Sequence, residues 1–334
     1  MSTKIRWGIL GVANIATKLV IPAMQRADSS TVTAIASRDT AKARSAGARL
    51  GIPKTYGSYE ELLADPEVDA IYNPLPNHLH VPWSILAAEA GKHVLCEKPI
   101  GMSAAECRTL IEARDRTGVK MGEAFMVRTH PQWLRARELV RSGRIGDLRA
   151  IAGAFSYFNR DPKNIRNILE YGGGAMMDIG CYTIQTSRFI FGQEPVRVVG
   201  LVERDPEWGA DRLASAILEY PSGQCIFTCG TQLVPYQRVQ ILGTRGRIEI
   251  EIPFNAPLDR PCRLFVDSSG DLSGKDIAPE EFPVCNQYTV QGELFSRAIL
   301  DGTEVPTPLE DSLGNMAVIG AVLRSGRSGN WERP

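Results

Sequence analysis

The chain has no excess charge of either sign, because 38 Lys and Arg residues balance 38 Asp and Glu residues over 334 positions. A broad nucleic-acid-binding surface needs a basic excess, so no nucleic-acid partner is expected. No apolar run approaches the length that spans a bilayer, so no membrane partner is expected either. The N-terminus lacks the charged and then apolar pattern of a secretory leader, which predicts a cytoplasmic protein.

Cysteine and histidine are present in small numbers and in no evident chemical arrangement. The seven cysteines include no C-x-x-C pair, which is typical of buried thiols in a reducing compartment. Of the four histidines, His78 and His80 could share a metal ion, but no cluster of further ligands completes the set, so no metal is expected. The lack of a Ser-centred G-x-S-x-G turn argues against a hydrolase of that class.

Short apolar runs alternate with helically spaced segments over residues 1–125. This alternation predicts parallel strands joined by helical crossovers, that is, a doubly wound α/β sheet. The predicted strands are Lys4–Leu10, Thr31–Ser37, Ala70–Asn73, His93–Cys96 and Val119–Phe125. The predicted helices are Ile15–Arg26, Thr40–Leu50, Tyr59–Ala64, Val81–Ala90 and Ser103–Thr117.

The pattern changes after about Met126, where closely spaced strands separated by Gly- and Pro-rich turns predominate. The predicted strands are Leu148–Phe158, Val196–Glu203, Ala214–Tyr220, Cys225–Gln232, Tyr236–Leu242, Arg247–Ile252 and Arg263–Val266. The predicted helices are Pro131–Ser142, Ala175–Phe191, Tyr288–Leu300 and Leu309–Arg324. We therefore predict a second domain at 126–334, of α+β type with a large, mostly antiparallel open sheet. Its last helix can pack back on the first domain.

The first predicted strand runs into Gly11-x-Ala13-x-x-Ala16 at the start of a helix. This is a variant of the G-x-G-x-x-G/A fingerprint of Rossmann domains, in which the first Gly makes a tight turn and a small second residue lets the backbone approach a pyrophosphate. The free N–H groups of the helix start, at Asn14 and Ile15, suit the phosphates. A dinucleotide cofactor is therefore expected here.

The second predicted strand ends in Ser37-Arg38-Asp39. An NAD enzyme usually places a carboxylate at the strand end for the ribose 2′-hydroxyl, whereas an NADP enzyme places Arg nearby for the 2′-phosphate. Here Ser37 occupies the end and Arg38 follows, while Asp39 comes one position late and can cap the next helix. The pattern predicts NADP.

Three further strings carry polar side chains. N-P-L-P-N-H-L-H (73–80) follows the third predicted strand, E-K-P (97–99) follows the fourth, and G-G-G-A-M-M-D-I-G-C-Y (172–182) opens a helix. Ligands of such sheets bind outside the carboxyl ends of strands, so the first two strings point to the cofactor. Asp178 and Tyr182, four residues apart, share one helix face.

In this order, the motifs resemble those of the glucose–fructose oxidoreductase, inositol dehydrogenase and rhizopine catabolism (Gfo/Idh/MocA) family, over nearly the whole chain. Tyr182 stands where inositol-dehydrogenase-like members carry His. In this respect the sequence resembles the branch of NADP-dependent D-xylose dehydrogenases and dimeric dihydrodiol dehydrogenases. The resemblance implies that Lys98 and Tyr182 are catalytic, that Pro99 follows a cis bond, and that Asp178 helps to position the substrate. It implies a cofactor border formed by Leu75, Pro76, Asn77, His80, Glu97 and Lys98, and a substrate contact from Arg166.

The chemistry of alcohol oxidation agrees with these roles. A base must take the hydroxyl proton while hydride leaves the carbon, and the pKa of free Tyr, about 10, is too high for that task at neutral pH. A nearby ammonium favours the phenolate, and Lys98 is the candidate cation.

We therefore expect an NADP-dependent sugar dehydrogenase that oxidises C1 of an aldose such as D-xylose or D-glucose to the lactone. The alternatives are a dihydrodiol dehydrogenase, a keto-sugar reductase, an aldose–aldose oxidoreductase with tightly bound NADP, or a non-catalytic nucleotide-binding regulator. A bare sheet face in the second domain would be a large apolar patch, which predicts a homodimer or a higher homo-oligomer.

Overall fold

The structure, a computed structural model, describes residues 4–275 and 277–334. The chain forms two compact units. The first contains the residues up to Met126 together with Asn286–Leu313, and the second contains Val127–Cys285 and Gly314–Pro334. None of the helices described is long and apolar enough to cross a membrane.

The first unit is built on a six-stranded parallel sheet. Its strands are β1 Ile5–Leu10, β2 Ser30–Ala36, β3 Lys54–Tyr56, β4 Ala70–Asn73, β5 His93–Cys96 and β6 Met121–Glu123. The order β3-β2-β1-β4-β5-β6 is that of a Rossmann domain, which confirms the predicted fold class. The connecting helices are α1 Ile21–Met24, α2 Thr40–Leu50, α3 Tyr59–Leu63, α4 His80–Glu89 and α5 Ala104–Thr117.

The second unit is built on an eight-stranded sheet. Its strands are β7 Leu148–Phe158, β8 Arg197–Arg204, β9 Asp211–Tyr220, β10 Gly223–Gly230, β11 Gln232–Gly243, β12 Arg247–Ile250, β13 Cys262–Asp267 and β14 Ala278–Phe282. The order is β14-β13-β12-β11-β7-β10-β9-β8, and only the β7–β10 pair is parallel among the strands described. The other α-helices described are α6 Pro131–Arg141, α7 Cys181–Phe191, α8 Gln287–Leu300 and α9 Leu309–Ser328.

One face of the second sheet is covered and the other is open. Along β10, Cys225, Phe227 and Cys229 are buried, whereas Ile226 between them is 47% exposed. On the neighbouring strands Ile217 and Leu201 are also exposed. Because side chains alternate between the two faces of a strand, these three residues lie on the open face.

Among the strands that the structure describes, β3 and β14 were not predicted, and both lie at sheet edges. The three residues of β3, K-T-Y, are all half-buried. Their side chains therefore do not alternate between a buried and an exposed face. The sequence of β14 is A-P-E-E-F, and its Pro279 suits an edge strand, where one side of the ladder is unpaired. Neither segment has the apolar periodicity by which strands are recognised.

Helix α8 belongs to the first unit, although the sequence pattern placed residues 286–313 in the second domain. The ring of Phe295 packs against Trp7 of β1 at a centroid distance of 5.7 Å, and the Trp7 indole donates to Ser296 Oγ at 3.1 Å. Both aromatic side chains are buried. Helical periodicity shows that a segment has an apolar face, but not which sheet that face covers.

The helices that carry the motifs begin differently from the continuous α-helices that were predicted. Ala16–Val20 and Met176–Gly180 are π-helical turns that lead into α1 and α7. Such turns are rare and occur frequently at functional sites. In this chain one follows the Gly-rich turn and the other contains Asp178.

Candidate active site

The turn after β1 has the geometry that a dinucleotide requires. Gly11 has a φ of 82°, and its N–H donates to the carbonyl of Ala36 at 2.8 Å. A Cβ at this position would lie 3.1 Å from Leu75 Cδ2, so a side chain would fill the space beside the turn. The helix begins at Asn14, directly after Ala13. The turn and the helix start therefore fit a pyrophosphate.

The three polar residues that follow β2 have different roles. Ser37 is buried, and its hydroxyl accepts from the amide of Asp39 at 3.2 Å. Asp39 caps α2 by accepting from Lys42 N at 3.1 Å, as its late position suggested. Arg38 is exposed, and its charge opposes the effect of burial that raises the pKa of Tyr59. Its guanidinium is thus the cationic group at this strand end.

Asn73 and His80 hold the loop after β4 in place through buried hydrogen-bonding groups. The Asn73 amide donates to the His80 carbonyl at 3.0 Å. The two ring nitrogens of His80 lie 2.6 Å from the Leu75 carbonyl and 2.7 Å from the Pro99 carbonyl. Burial lowers the pKa of His80 to about 4. With 1% of its surface exposed, His80 joins the two loops that are predicted to border the cofactor, and Pro76 and Asn77 are half-buried beside it.

The E-K-P string leaves β5 with the Lys98–Pro99 bond in the cis form that the family resemblance implied. Glu97 and Lys98 are half-buried. The Tyr72 hydroxyl donates to Glu97 Oε1 at 2.5 Å, and the Lys98 amide donates to Oε2 at 3.3 Å. Burial and, to a smaller extent, the Glu97 charge raise the pKa of Tyr288 of α8 to about 12, whereas the Lys98 charge lowers it.

A second cluster surrounds Asp178 in the second unit. Asp178 Oδ2 accepts from the Tyr157 hydroxyl at 2.6 Å and from Arg166 Nε at 3.0 Å. The pKa of Arg166 is raised, mostly by the charge of Asp178, with smaller contributions from Tyr157 and Tyr182. Within this unit the structure therefore brings together Arg166, Asp178 and Tyr182, the three residues predicted to meet the substrate.

The Tyr182 ring is fixed by aromatic packing. It is buried, and it contacts Phe155 of β7 edge-on at a centroid distance of 5.7 Å and Phe254 at 5.5 Å. Sequence reasoning missed Tyr157, which lies two residues after Phe155 on the same strand face. The available signal was the alternation of aromatic residues in F-S-Y, near the end of a predicted strand, because alternate residues of a strand share one face.

A buried carboxylate sets the direction of the helix that carries Asp178 and Tyr182. Asp211 Oδ2 accepts from Met176 N at 2.6 Å, at the first residue of the π-turn. Burial raises the pKa of Asp211. Gly174 has a φ of 128°, and a Cβ there would lie 2.0 Å from Asp211 Oδ1. The glycine at position 174 is therefore required by the close approach of this carboxylate.

Lys98 belongs to the first unit and Tyr182 to the second. In the part of the chain that the structure describes, no group of three or more His, Cys, Asp or Glu side chains could hold a metal ion.

Comparison with protein families gives two matches that together cover most of the chain. Residues 5–125 match the oxidoreductase family with an NAD-binding Rossmann fold, and residues 133–249 match the GFO/IDH/MocA C-terminal domain. The chain belongs to the Gfo/Idh/MocA family. The family prediction is thereby confirmed, and with it the prediction that this protein is an oxidoreductase.

Among the curated relatives of this Gfo/Idh/MocA oxidoreductase is an uncharacterized oxidoreductase of Rhizobium meliloti, 48% identical, with 98% of each chain covered. The NADP-dependent D-xylose 1-dehydrogenase 2 of Haloferax volcanii is 38% identical, with 97% of this chain and 98% of the relative covered.

Solved structures are similar over the same extent. The aldose–aldose oxidoreductase of Caulobacter crescentus superposes with a TM-score of 0.91 at 29% identity, covering 99% of this chain and 100% of the other. The 3-ketoreductase KijD10 of Actinomadura kijaniata, in complex with NADP and TDP-benzene, superposes with a TM-score of 0.90 at 28% identity, covering 97% and 98%.

The clash with Asp211 predicts a large effect of Gly174→Ala. Gly192 at the end of the same helix provides a matched control, because its φ is 64° and nothing lies within 4 Å of its ideal Cβ. Gly192→Ala should cost about 1–2 kcal/mol of unfolding free energy, the backbone penalty alone. Gly174→Ala should cost at least about 3 kcal/mol, since the carboxylate must also move. Urea unfolding measures both, and equal losses would show that Asp211 moves aside at no cost.

Proposed function

We propose that this oxidoreductase is an NADP-dependent sugar dehydrogenase that oxidises C1 of an aldose, such as D-xylose or D-glucose, to the lactone. The observation that carries the proposal is the cluster in which Tyr157 and Arg166 hold Asp178 one helical turn before Tyr182. A phenol beside a fixed carboxylate suits a substrate with several hydroxyl groups, because one hydroxyl can react while another is oriented. The Haloferax relative bears the corresponding name, D-xylose 1-dehydrogenase (NADP(+)).

The residues of the first unit are suited to hold NADP. Gly11, Ala13, Asn14 and Ile15 would border the pyrophosphate, and Ser37 and Arg38 the adenine ribose. Leu75, Pro76, Asn77, Glu97 and Lys98 would border the nicotinamide half. The bound nicotinamide would supply the hydride acceptor. Support comes from the exposed guanidinium at the end of β2 and from the NADP present in the KijD10 structure.

The chain's own residues would then manage the proton. Tyr182 would take it from the substrate hydroxyl at its phenolic oxygen, and the Lys98 ammonium would favour the phenolate. Asp178 would orient a neighbouring hydroxyl, with its carboxylate aimed by Tyr157 and Arg166. The aromatic packing of Tyr182 against Phe155 would keep the phenol in place.

A keto-sugar reductase is the second candidate, favoured by the similarity to the 3-ketoreductase KijD10 over nearly the whole chain. A third is an aldose–aldose oxidoreductase that retains its nucleotide, as the Caulobacter similarity suggests. A panel of aldoses, polyols, diols and nucleotide-linked keto-sugars, each with NADP and NAD, separates them at the absorbance of the reduced cofactor. Nucleotide absorbance of the purified protein identifies an enzyme that retains its nucleotide.

The 2′-phosphate role of Arg38 predicts a selective effect of Arg38→Ala. Loss of charge-assisted hydrogen bonds should raise the KM for NADP by roughly 10- to 100-fold and leave NAD nearly unchanged. Arg49→Ala, in the last turn of α2, removes the same charge far from the strand end and should change neither constant. Equal losses with both nucleotides would refute the role of Arg38.

The proton-transfer role predicts that Tyr182→Phe lowers kcat by about 10²–10⁴-fold, with cofactor affinity little changed. Lys98→Met should also lose turnover, and its remaining activity should need a higher pH because the phenol has lost its cation. The double variant should lose far less than the product of the two effects, since both residues act on the same proton-transfer step. The rate of the unaltered enzyme should rise with pH through a titration below that of free tyrosine. Near-normal turnover of Tyr182→Phe would mean that the proton leaves by another group.

We also propose that the enzyme is at least a homodimer that pairs through the open face of the second sheet. This face forms a shallow depression of about 560 Å³ whose lining includes Val199, Leu201, Ile217 and Ile226, and monomers rarely leave such a patch exposed. Ile226→Glu should therefore yield monomers in light scattering at micromolar concentration. Leu86→Glu changes an equally exposed apolar residue of α4 and should leave the oligomer intact. A monomeric unaltered chain would refute the proposal.

A further inference from the structure

The segment 252–255 follows β12 and carries one aromatic residue, Phe254, into the core of the second unit. Phe254 is fully buried. Its ring is stacked on that of Phe155 at a centroid distance of 4.8 Å and lies 5.5 Å from that of Tyr182. Aromatic rings at such distances attract one another beyond the effect of the surface that they bury. The position of Phe254 therefore bears directly on the position of the Tyr182 ring.

A single side chain of β11 holds the backbone at Phe254. Gln237 Oε1 accepts from the amide of Phe254 at 2.9 Å and from the amide of Asn255 at 3.0 Å. In the register of β11 and β7, Gln237 stands opposite Phe155, so the two side chains leave the sheet on the same face. One side-chain oxygen thus fixes two consecutive amides beside the aromatic rings.

Two side chains of α6 hold the residues just before Phe254. The Trp133 indole donates to the Pro253 carbonyl at 2.7 Å, and the Gln132 amide donates to the Ile252 carbonyl at 2.8 Å. Both donor residues are buried. The segment contains neither helix nor strand, so these side chains supply hydrogen bonds that regular structure supplies elsewhere. The backbone is thus fixed on both sides of Phe254.

We propose that Gln237 is a positioning residue for the proton transfer: it holds Phe254 against the Tyr182 ring and so keeps the phenol where the substrate hydroxyl must meet it. The inference rests on the proposed function, because it is proton transfer by Tyr182 that requires a fixed phenol. A general base must lie within hydrogen-bond reach of the proton that it takes. Gln237 acts on this reach through Phe254, without contact with the reacting atoms.

The placement of Tyr182 can be measured without catalysis, by NMR of protein with ¹³C-labelled tyrosine rings. The Tyr182 signal is assigned by its loss in Tyr182→Phe, and the ring currents of Phe155 and Phe254 displace it from the position of free tyrosine. Gln237→Met removes the acceptor oxygen at nearly unchanged size and should move the signal toward that position. Gln237→Glu keeps an oxygen that accepts from both amides and should leave the signal close to that of the unaltered protein.

Turnover is measured with the aldose that the substrate panel identifies. A displacement of about 1 Å can cost roughly 10²-fold in rate, so Gln237→Met should lower kcat by roughly 10-fold or more. Gln237→Glu should restore most of the loss, and the KM for NADP should change much less than kcat. In a Tyr182→Phe background the same change should lower kcat little further, because Gln237 acts through the phenol. A general weakening of the fold would instead lower kcat equally in both backgrounds.

Gln240→Met is the matched control. Gln240 lies on the same strand, is half-buried like Gln237, and donates to Glu249 Oε2 at 3.3 Å. Because the two glutamines are three positions apart, their side chains leave β11 on opposite faces. This variant should leave the Tyr182 signal and kcat unchanged. An effect as large as that of Gln237→Met would mean that any loosening of β11 moves Tyr182, which would overturn the proposal.

The outcomes separate this inference from the proposed function. An unmoved Tyr182 signal in Gln237→Met overturns the inference, even if Tyr182→Phe is inactive. A moved signal with unchanged kcat, where Tyr182→Phe is inactive, also overturns it. A moved signal together with full activity of Tyr182→Phe supports the placement of the ring by Gln237 and refutes the proton-transfer role. If Gln237→Met does not fold by circular dichroism, Phe254→Leu decides, because an unmoved Tyr182 signal there leaves no ring contact for Gln237 to direct.

Discussion

Parallel pairing of neighbouring strands is the constraint on which the first unit depends. β1 pairs with β2 and β4, and β4 pairs with β5, all in the same direction. The residues that follow these strands must therefore emerge at one edge of the sheet. For this reason Gly11, Arg38, Asn73 and Glu97, which are far apart in the sequence, belong to one end of one unit. The buried contacts of His80 and Tyr72 then fix the loops that this edge creates.

The second unit positions its candidate site residues in a different way. Its sheet is mostly antiparallel, and Asp178 and Tyr182 come from the start of a helix. The Asp211 carboxylate accepts from the first amide of the π-turn, and the glycine at 174 leaves room for it. That contact fixes where the helix begins and hence the rotation at which Asp178 and Tyr182 face β7. Tyr157 and Phe155 on that strand then hold the two side chains by a hydrogen bond and by ring packing.

Local pattern was sufficient for elements that are bounded by clear turn or capping signals. Thr40–Leu50, Ala70–Asn73 and Leu148–Phe158 have the predicted bounds. The sequence could not reveal β3 or β14, because edge strands need little apolar contrast. The π-turns escaped because their apolar spacing is close to that of an α-helix. Tyr72, Tyr157 and Tyr288 escaped as site residues because each acts on a group from a different element, and a single sequence does not show which segments meet.

Each unit uses a phenol to direct a carboxylate, and the two cases differ in the other contacts that hold the carboxylate. Asp178 accepts from Tyr157 and also pairs with the Arg166 guanidinium, so the cation offsets much of its negative charge. Such a carboxylate is suited to orienting hydroxyl groups. Glu97 accepts from the Tyr72 hydroxyl and from the Lys98 amide, and its own N–H donates to the Asn73 carbonyl. These contacts join the carboxyl ends of β4 and β5, which pair in parallel. The same pair of residue types thus fixes a side chain at a helix start in one unit and the loops that follow two strands in the other.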